Sequence, residues 1–140
     1  MTKKIFVDSD ILLDVLAQRD PHYASAARFF SHVEKEEIRA YTSPLVFSNL
    51  NFILCRTRPN HPPINDLRKI RLLLSVCPID EKILDLALSS EFTDFEDAIQ
   101  YYAAIENNVD AILTRNKKDF KKSLIPVYTA DEFLQIHLKK

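Results

Sequence analysis

Apolar residues along this chain come in two rhythms. Short β-rich runs at 4–7, 40–43, 75–79, 111–114 and 125–128 alternate with stretches whose apolar positions recur every three or four residues. The first rhythm predicts buried parallel strands and the second amphipathic helices. Helices are expected over 11–17, 21–35, from Pro44 to the proline-rich loop at 58–63, over 64–74, 81–89 and 94–107, and from Asp131 onward. Their expected inward faces are Ile11, Leu12, Val15 and Leu16; Ala24, Ala27, Phe30 and Val33; Val46, Phe47, Leu50, Ile53 and Leu54; Ile83, Leu84, Ala87 and Leu88; Phe95, Ala98, Ile99 and Tyr102; and Phe133, Leu134 and Leu138. Boundary residues agree with this division. Pro21 suits a first helical turn. Ser43 and Asp80 are placed as caps, and Asn107-Asn108 can supply a left-handed helix end in a chain without glycine.

Strands separated by helices or helix pairs build a parallel sheet covered on both faces. The 140 residues are read as one domain, 1–140, of an α/β/α sandwich. In such sheets functional groups collect beyond the carboxyl ends of the strands, where strand order reverses.

Composition narrows the chemistry. The longest apolar runs, such as Ile11-Leu12-Leu13, are far too short to span a bilayer, so no membrane role is expected. Lys3 and Lys4 are followed too soon by Asp8 for a signal-peptide core, and a cytoplasmic protein is expected. Cys55 and Cys77 have no paired spacing, and His22, His32, His61 and His137 form no zinc motif. The absence of glycine excludes a Walker loop and a dinucleotide-binding turn, which need bare backbone against phosphate. The net charge of −1 conceals two basic regions. One runs from Arg115 through Lys117 and Lys118 to Lys122, with Lys139 and Lys140 beyond it. The other comprises Arg56, Arg58, Arg68, Lys69 and Arg71. Local patches of this kind suit RNA, or equally a solvated surface.

The acids gain meaning from the expected sheet. Asp8 ends the first strand, with Asp10 and Asp14 on the next turns. Thr114, Asn116 and Asp119 follow the fourth strand. Asp94 and Asp97 open the helix that leads into that strand, three apart and so on one face. If the first and fourth strands are neighbours, Asp8, Asp97 and Asp119 converge at one edge. Unpaired carboxylates raise one another's pKa, and a hard cation such as Mg²⁺ or Mn²⁺ relieves the repulsion. Each acid also has a plainer role. Asp8 and Asp94 are placed as helix caps, Asp97 as the capping-box partner of Asp94, and Asp119 as the cap of a short turn. Asp10 can face solvent, Asp14 can face solvent or steady a ligand from behind, and Asn116 can close an Asx turn. Glu96 lies about 100° around the helix from Asp97 and is the least suited of the three acids there to reach a shared ion.

The runs Val7-Asp8-Ser9-Asp10-Ile11-Leu12-Leu13-Asp14, Asp94-Phe95-Glu96-Asp97-Ala98-Ile99-Gln100 and Leu113-Thr114-Arg115-Asn116-Lys117-Lys118-Asp119-Phe120 resemble, in order and spacing, the motifs of PIN-domain proteins. The resemblance covers nearly the whole chain. It implies strand order 3-2-1-4-5 and Mg²⁺- or Mn²⁺-dependent cleavage of RNA to 5′-phosphate and 3′-hydroxyl ends. It further implies kinship with VapC-type toxins, which are restrained by an antitoxin protein and often form homodimers. On this reading Asp8 and Asp97 bind the metal, and Asp119 is a ligand or water-orienting base. Asp94, Asn49, Thr114, Asn116 and Asp10 steady those groups or touch substrate, while Arg115, Lys117 and Lys118 hold the RNA backbone. Two positions depart from the pattern. The family usually has asparagine at Asp10 and glutamate at Asn49, although a subgroup with D-F-E-D and T-R-N-x-x-D-F runs shares the amide.

Two rival readings remain open in the sequence. Asp8-Ser9-Asp10 is also the D-x-D of an aspartyl-nucleophile phosphatase of the haloacid dehalogenase type, a class whose later loops carry glycine. With Asn49 in place of an acid, the domain also suits a non-catalytic module that binds RNA or protein.

Overall fold

The structure is a computed structural model and describes residues 2–137, so Leu138, Lys139 and Lys140 lie outside the described residues. The strands are β1 (Lys3–Val7), β2 (Ile38–Thr42), β3 (Leu74–Val76), β4 (Ala111–Leu113) and β5 (Val127–Tyr128). They form one parallel sheet in the order β3-β2-β1-β4-β5, as expected. Among the described residues seven helices connect and flank them: α1 (Ser9–Leu16), α2 (Tyr23–Glu34), α3 (Pro44–Thr57), α4 (Ile64–Arg71), α5 (Glu81–Leu88), α6 (Phe95–Glu106) and α7 (Ala130–His137). A 3₁₀ turn at Lys117–Phe120 follows β4.

The strand order explains the layering. From β1 the chain moves outward to β2 and β3, then returns to the other side of β1 with β4 and β5. Right-handed crossovers therefore place α1–α4 on one face and α5 and α6 on the other. The reversal falls between β1 and β4, whose register pairs Val7 with Leu113. Asp8 and Thr114 follow these two residues at the carboxyl edge. Ile5, Phe6, Val7, Ile112 and Leu113 are fully buried, as residues of central strands covered on both faces must be.

Caps set the helix starts. Ser43 Oγ accepts from the Val46 N–H, and Asp80 Oδ1 accepts from the Ile83 N–H. At α7 the cap is Thr129, two residues ahead of the expected Asp131 start. Its Oγ1 accepts from the Glu132 N–H while Glu132 Oε1 accepts from the Thr129 N–H, a closed capping box. Asn108 takes the left-handed conformation, φ 57°, after α6.

Several inward faces differ from the pattern. In α2 the buried set is Ala26, Phe29, Phe30 and Val33, and Ala24 is exposed. Phe29 wins the inward position because it meets Phe133 of α7 edge-on at 5.7 Å. In α5 only Ile83 and Ala87 are buried, while Leu84 and Leu88 face outward. In α6 the buried side is Ala98, Gln100, Tyr101, Ala103 and Ala104; Ile99 and Tyr102 pack at its margin, and Phe95 is exposed.

Candidate active site

Asp8 caps α1. Its Oδ1 accepts the Ser9 N–H at 2.7 Å, and its Oδ2 accepts the buried Thr114 hydroxyl at 2.9 Å. Thr114 thereby ties the carboxyl end of β4 to that of β1. The hydroxyl also lies 3.3 Å from Asp10 Oδ2 and accepts the Asn116 N–H at 3.0 Å. Asp10, one expected option for which was solvent, instead turns toward the loop after β4. Its Oδ2 takes the Arg115 N–H at 2.9 Å and the Asn116 side-chain amide at 3.3 Å. Its other oxygen is buried with no hydrogen-bond partner among the described residues.

Asp94 is the N-cap of α6 and accepts the Asp97 N–H at 3.0 Å. That bond fixes the first turn and so aims the Asp97 carboxyl. Thr93, Asp94, Asp97, Lys118, Asp119 and Lys121 line one cleft of about 390 Å³. Asp119 reaches it from the 3₁₀ turn, and Asp97 is half-buried at its wall. Lys121 was not singled out from the sequence. Its position three residues after Lys118 in a 3₁₀-like turn is the signal, because side chains at that spacing eclipse.

The electrostatics tie Asp8 to this cleft. Burial pushes the Asp8 carboxyl from 3.8 up to about 6, with Asp10 and more weakly Asp119 adding repulsion. Asp97 is pushed to about 7, first by burial and then by Asp94, Asp8, Asp119 and Glu96. Asp10 is also raised, chiefly by burial, against the lowering effect of the Arg115 N–H. Asp8, Asp97 and Asp119 therefore feel one another, as the adjacency of β1 and β4 requires. Lys118 and Lys121 stand at the rim of the cleft, and the carboxyls of Asp8 and Asp97 remain strained by like charge.

The other expected site residues divide. Asn49, on α3, donates a long hydrogen bond of 3.4 Å to Glu96. Glu96 thus faces α3 rather than sharing the direction of Asp97. The Arg115 guanidinium is engaged elsewhere, holding Asp14 through Nε at 2.8 Å and Nη2 at 3.2 Å. Asp14 is fully buried, not solvated, and also accepts from Arg19 Nε at 3.1 Å. Lys117 pairs with Glu132 at 2.9 and 3.0 Å. Of the three expected backbone cations, Lys118 is the one that lines the acid cleft.

Among the described residues, no three Asp, Glu, His or Cys side chains converge tightly enough to enclose an ion by themselves. A pair suffices for Mg²⁺ or Mn²⁺, which commonly keep several waters and take phosphate oxygens alongside one or two carboxylates. The donors here are oxygens only, suited to hard ions. The raised carboxyls of Asp8 and Asp97 fit such a cation.

The fold and site define a doubly wound α/β protein with an acidic cleft where its strand order reverses. A PIN-domain family model matches residues 4–118, and the chain belongs to the PIN-domain family. It is similar to Ribonuclease VapC1 of Aquifex aeolicus (strain VF5), with 22% identity over 139 residues covering 96% of this chain and 95% of the relative. Among solved structures, a toxin–antitoxin complex from Klebsiella pneumoniae matches with TM-score 0.67 and 19% identity, covering 90% of this chain and 97% of the other. VapBC2 from Rickettsia felis, bound to a DNA fragment from its promoter, matches with TM-score 0.66 and 13% identity over 89% and 96% of the two chains. Among the described residues no helix is long and apolar enough to cross a membrane.

Proposed function

We propose that the protein is a divalent-cation-dependent ribonuclease of the VapC type. The observation that carries this reading is the cleft that gathers Asp94, Asp97 and Asp119 beside Asp8 at the point where strand order reverses, with Asp8 and Asp97 raised, first by burial, to about 6 and about 7. Membership of the PIN-domain family and the ribonuclease name of the Aquifex relative support it.

Asp8 and Asp97 would hold the cation. A bound Mg²⁺ or Mn²⁺ supplies Lewis acidity toward the phosphoryl group and makes water a better nucleophile near neutral pH. Asp119 orients the attacking water and takes its proton. Asp94 aims Asp97 through the helix cap. Thr114, Asn116 and Asp10 hold the Asp8 side of the site in register. Lys118 and Lys121 meet the phosphates of the strand, contacts that position RNA without reading its sequence. Water adds at phosphorus and the P–O3′ bond breaks, the departing O3′ takes a proton from solvent, and a 5′-phosphate and a 3′-hydroxyl are left.

The kinship with toxin–antitoxin complexes supports an antitoxin protein as partner. The deciding experiment incubates purified protein with RNA in Mn²⁺, in Mg²⁺ and in EDTA, alongside Asp97→Asn. Cation-dependent cleavage that the variant lacks is the expected result. Equal cleavage by both proteins would overturn the assignment.

A further inference from the structure

The outer face of α3 carries a line of side chains that the core does not use. Asn49, Phe52 and Arg56 fall at i, i+3 and i+7, on one face and about a turn apart. The helix buries its opposite side through Val46, Leu50 and Leu54. At the head of the line Asn49 is bonded to Glu96, in the same first turn of α6 as Asp97. One turn further along, the Phe52 ring is 61% exposed. The Arg56 guanidinium lies over that ring, 5.2 Å from its centroid. Beyond it α3 packs on α4, whose Arg68 and Lys69 are exposed. The second basic region of the sequence thus begins where the line ends.

An exposed aromatic ring offers a face on which any nucleobase can stack, and an adjacent guanidinium offers charge to the next phosphate. We propose that Asn49, Phe52 and Arg56 form the track along which single-stranded RNA leaves the acid cleft, with an unpaired base stacked on Phe52 and the following phosphate on Arg56. This inference rests on the ribonuclease reading of the cleft. Exposed phenylalanine and arginine also serve protein interfaces. RNA is the occupant favoured here because the line starts beside the acids and runs into cationic surface, the charge order that a phosphodiester strand needs once its scissile group is held at a cation.

The test measures fluorescence anisotropy of a labelled, unstructured oligouridylate in EDTA, where no cleavage occurs. Phe52→Ala is expected to weaken binding about tenfold, in the range for loss of one stacked base. Phe52→Trp should retain the affinity of the parent protein. Arg56→Gln should weaken binding and make it less dependent on salt. Unaltered thermal melting of Phe52→Ala would show that the ring acts on RNA and not on the fold. An unchanged dissociation constant for Phe52→Ala, or no binding by the parent protein, overturns the proposal. A changed oligomeric mass with unchanged RNA affinity also overturns it and assigns the face to a second copy. Phe52-dependent binding without cleavage in Mn²⁺ would leave the track standing and remove the ribonuclease reading; cleavage with a Phe52-independent dissociation constant would do the reverse.

Discussion

The Thr114 hydroxyl donates to Asp8 Oδ2 at 2.9 Å across the junction of β4 and β1, between residues 106 apart in sequence. Both groups are buried, so this bond replaces water for one oxygen of an acid that must keep its direction. Thr114→Val preserves shape and removes the donor. It should lower RNA cleavage by about ten- to a hundredfold, the usual effect of losing a group that orients a metal ligand. Thr114→Ser should restore most of the rate. Full activity in the valine variant would refute the orienting role.

The raised carboxyls predict how the cation-free protein responds to pH. Asp8 and Asp97 bind protons more tightly when folded, at about 6 and about 7, than at their ordinary value of 3.8. Their favourable contribution to folding is complete below that ordinary value and is lost as pH rises through about 6 and then about 7. Melting in EDTA should therefore shift downward between about pH 4 and about pH 7 and level off above that, and millimolar Mn²⁺ should recover stability at the higher pH by binding the folded state. A melting temperature indifferent to both pH and Mn²⁺ would contradict this account.

Asp97→Asn separates activity from stability. The amide removes a charge that Asp94, Asp8 and Asp119 oppose. Cleavage should fall to background, while the melting temperature in EDTA at about pH 8 should rise, because like-charge repulsion is relieved. A variant that is both inactive and less stable would point to a structural role for the carboxylate.

The Asn49–Glu96 contact makes the opposite test. Asn49→Glu sets a second carboxylate beside Glu96, where the amide now donates at 3.4 Å. Stability in EDTA should drop and the calorimetric affinity for Mn²⁺ should increase severalfold, since added carboxylate charge strengthens a hard-ion site. Unchanged Mn²⁺ affinity would show that position 49 lies outside the reach of the cation.

Arg115 is expected to matter for folding rather than for RNA affinity. Its Nε and Nη2 hold the buried Asp14 carboxylate, with Arg19 as the second partner. Arg115→Met should destabilise the protein by about 2–3 kcal/mol, below the cost of leaving a buried charge wholly unpaired because Arg19 remains. Urea denaturation measures this. A loss of RNA binding without a loss of stability would return Arg115 to the substrate surface.

Local sequence was enough for the elements whose cause is local. Ser43, Asp80 and Asp94 were legible as caps because a short polar side chain ahead of an apolar periodic run has one economical use. The five strands were legible as β-rich runs between helical periods, and the order 3-2-1-4-5 followed from the family resemblance. The direction of larger side chains was not legible. Phe95 on α6 and Leu84 and Leu88 on α5 fit apolar stripes and still face outward, because which part of a stripe is buried is set by the neighbouring element and not by the period.

What the sequence by itself determined was the alternation of strand and helix, the placing of Asp8 and of Thr114, Asn116 and Asp119 just after two of the strands, and the exclusion of glycine-dependent phosphate sites; that the two strands are neighbours came from the resemblance and the structure. What only the tertiary structure decided was the partner of each polar group. Asp10 turned to the Arg115 N–H, Asp14 became a buried anchor for two arginines, Lys117 paired with Glu132, and Glu96 went to Asn49. The reason is physical: helix and strand periods are set by neighbours a few residues away, whereas the partner of a charge is set by whichever distant segment folding brings within about 3 Å.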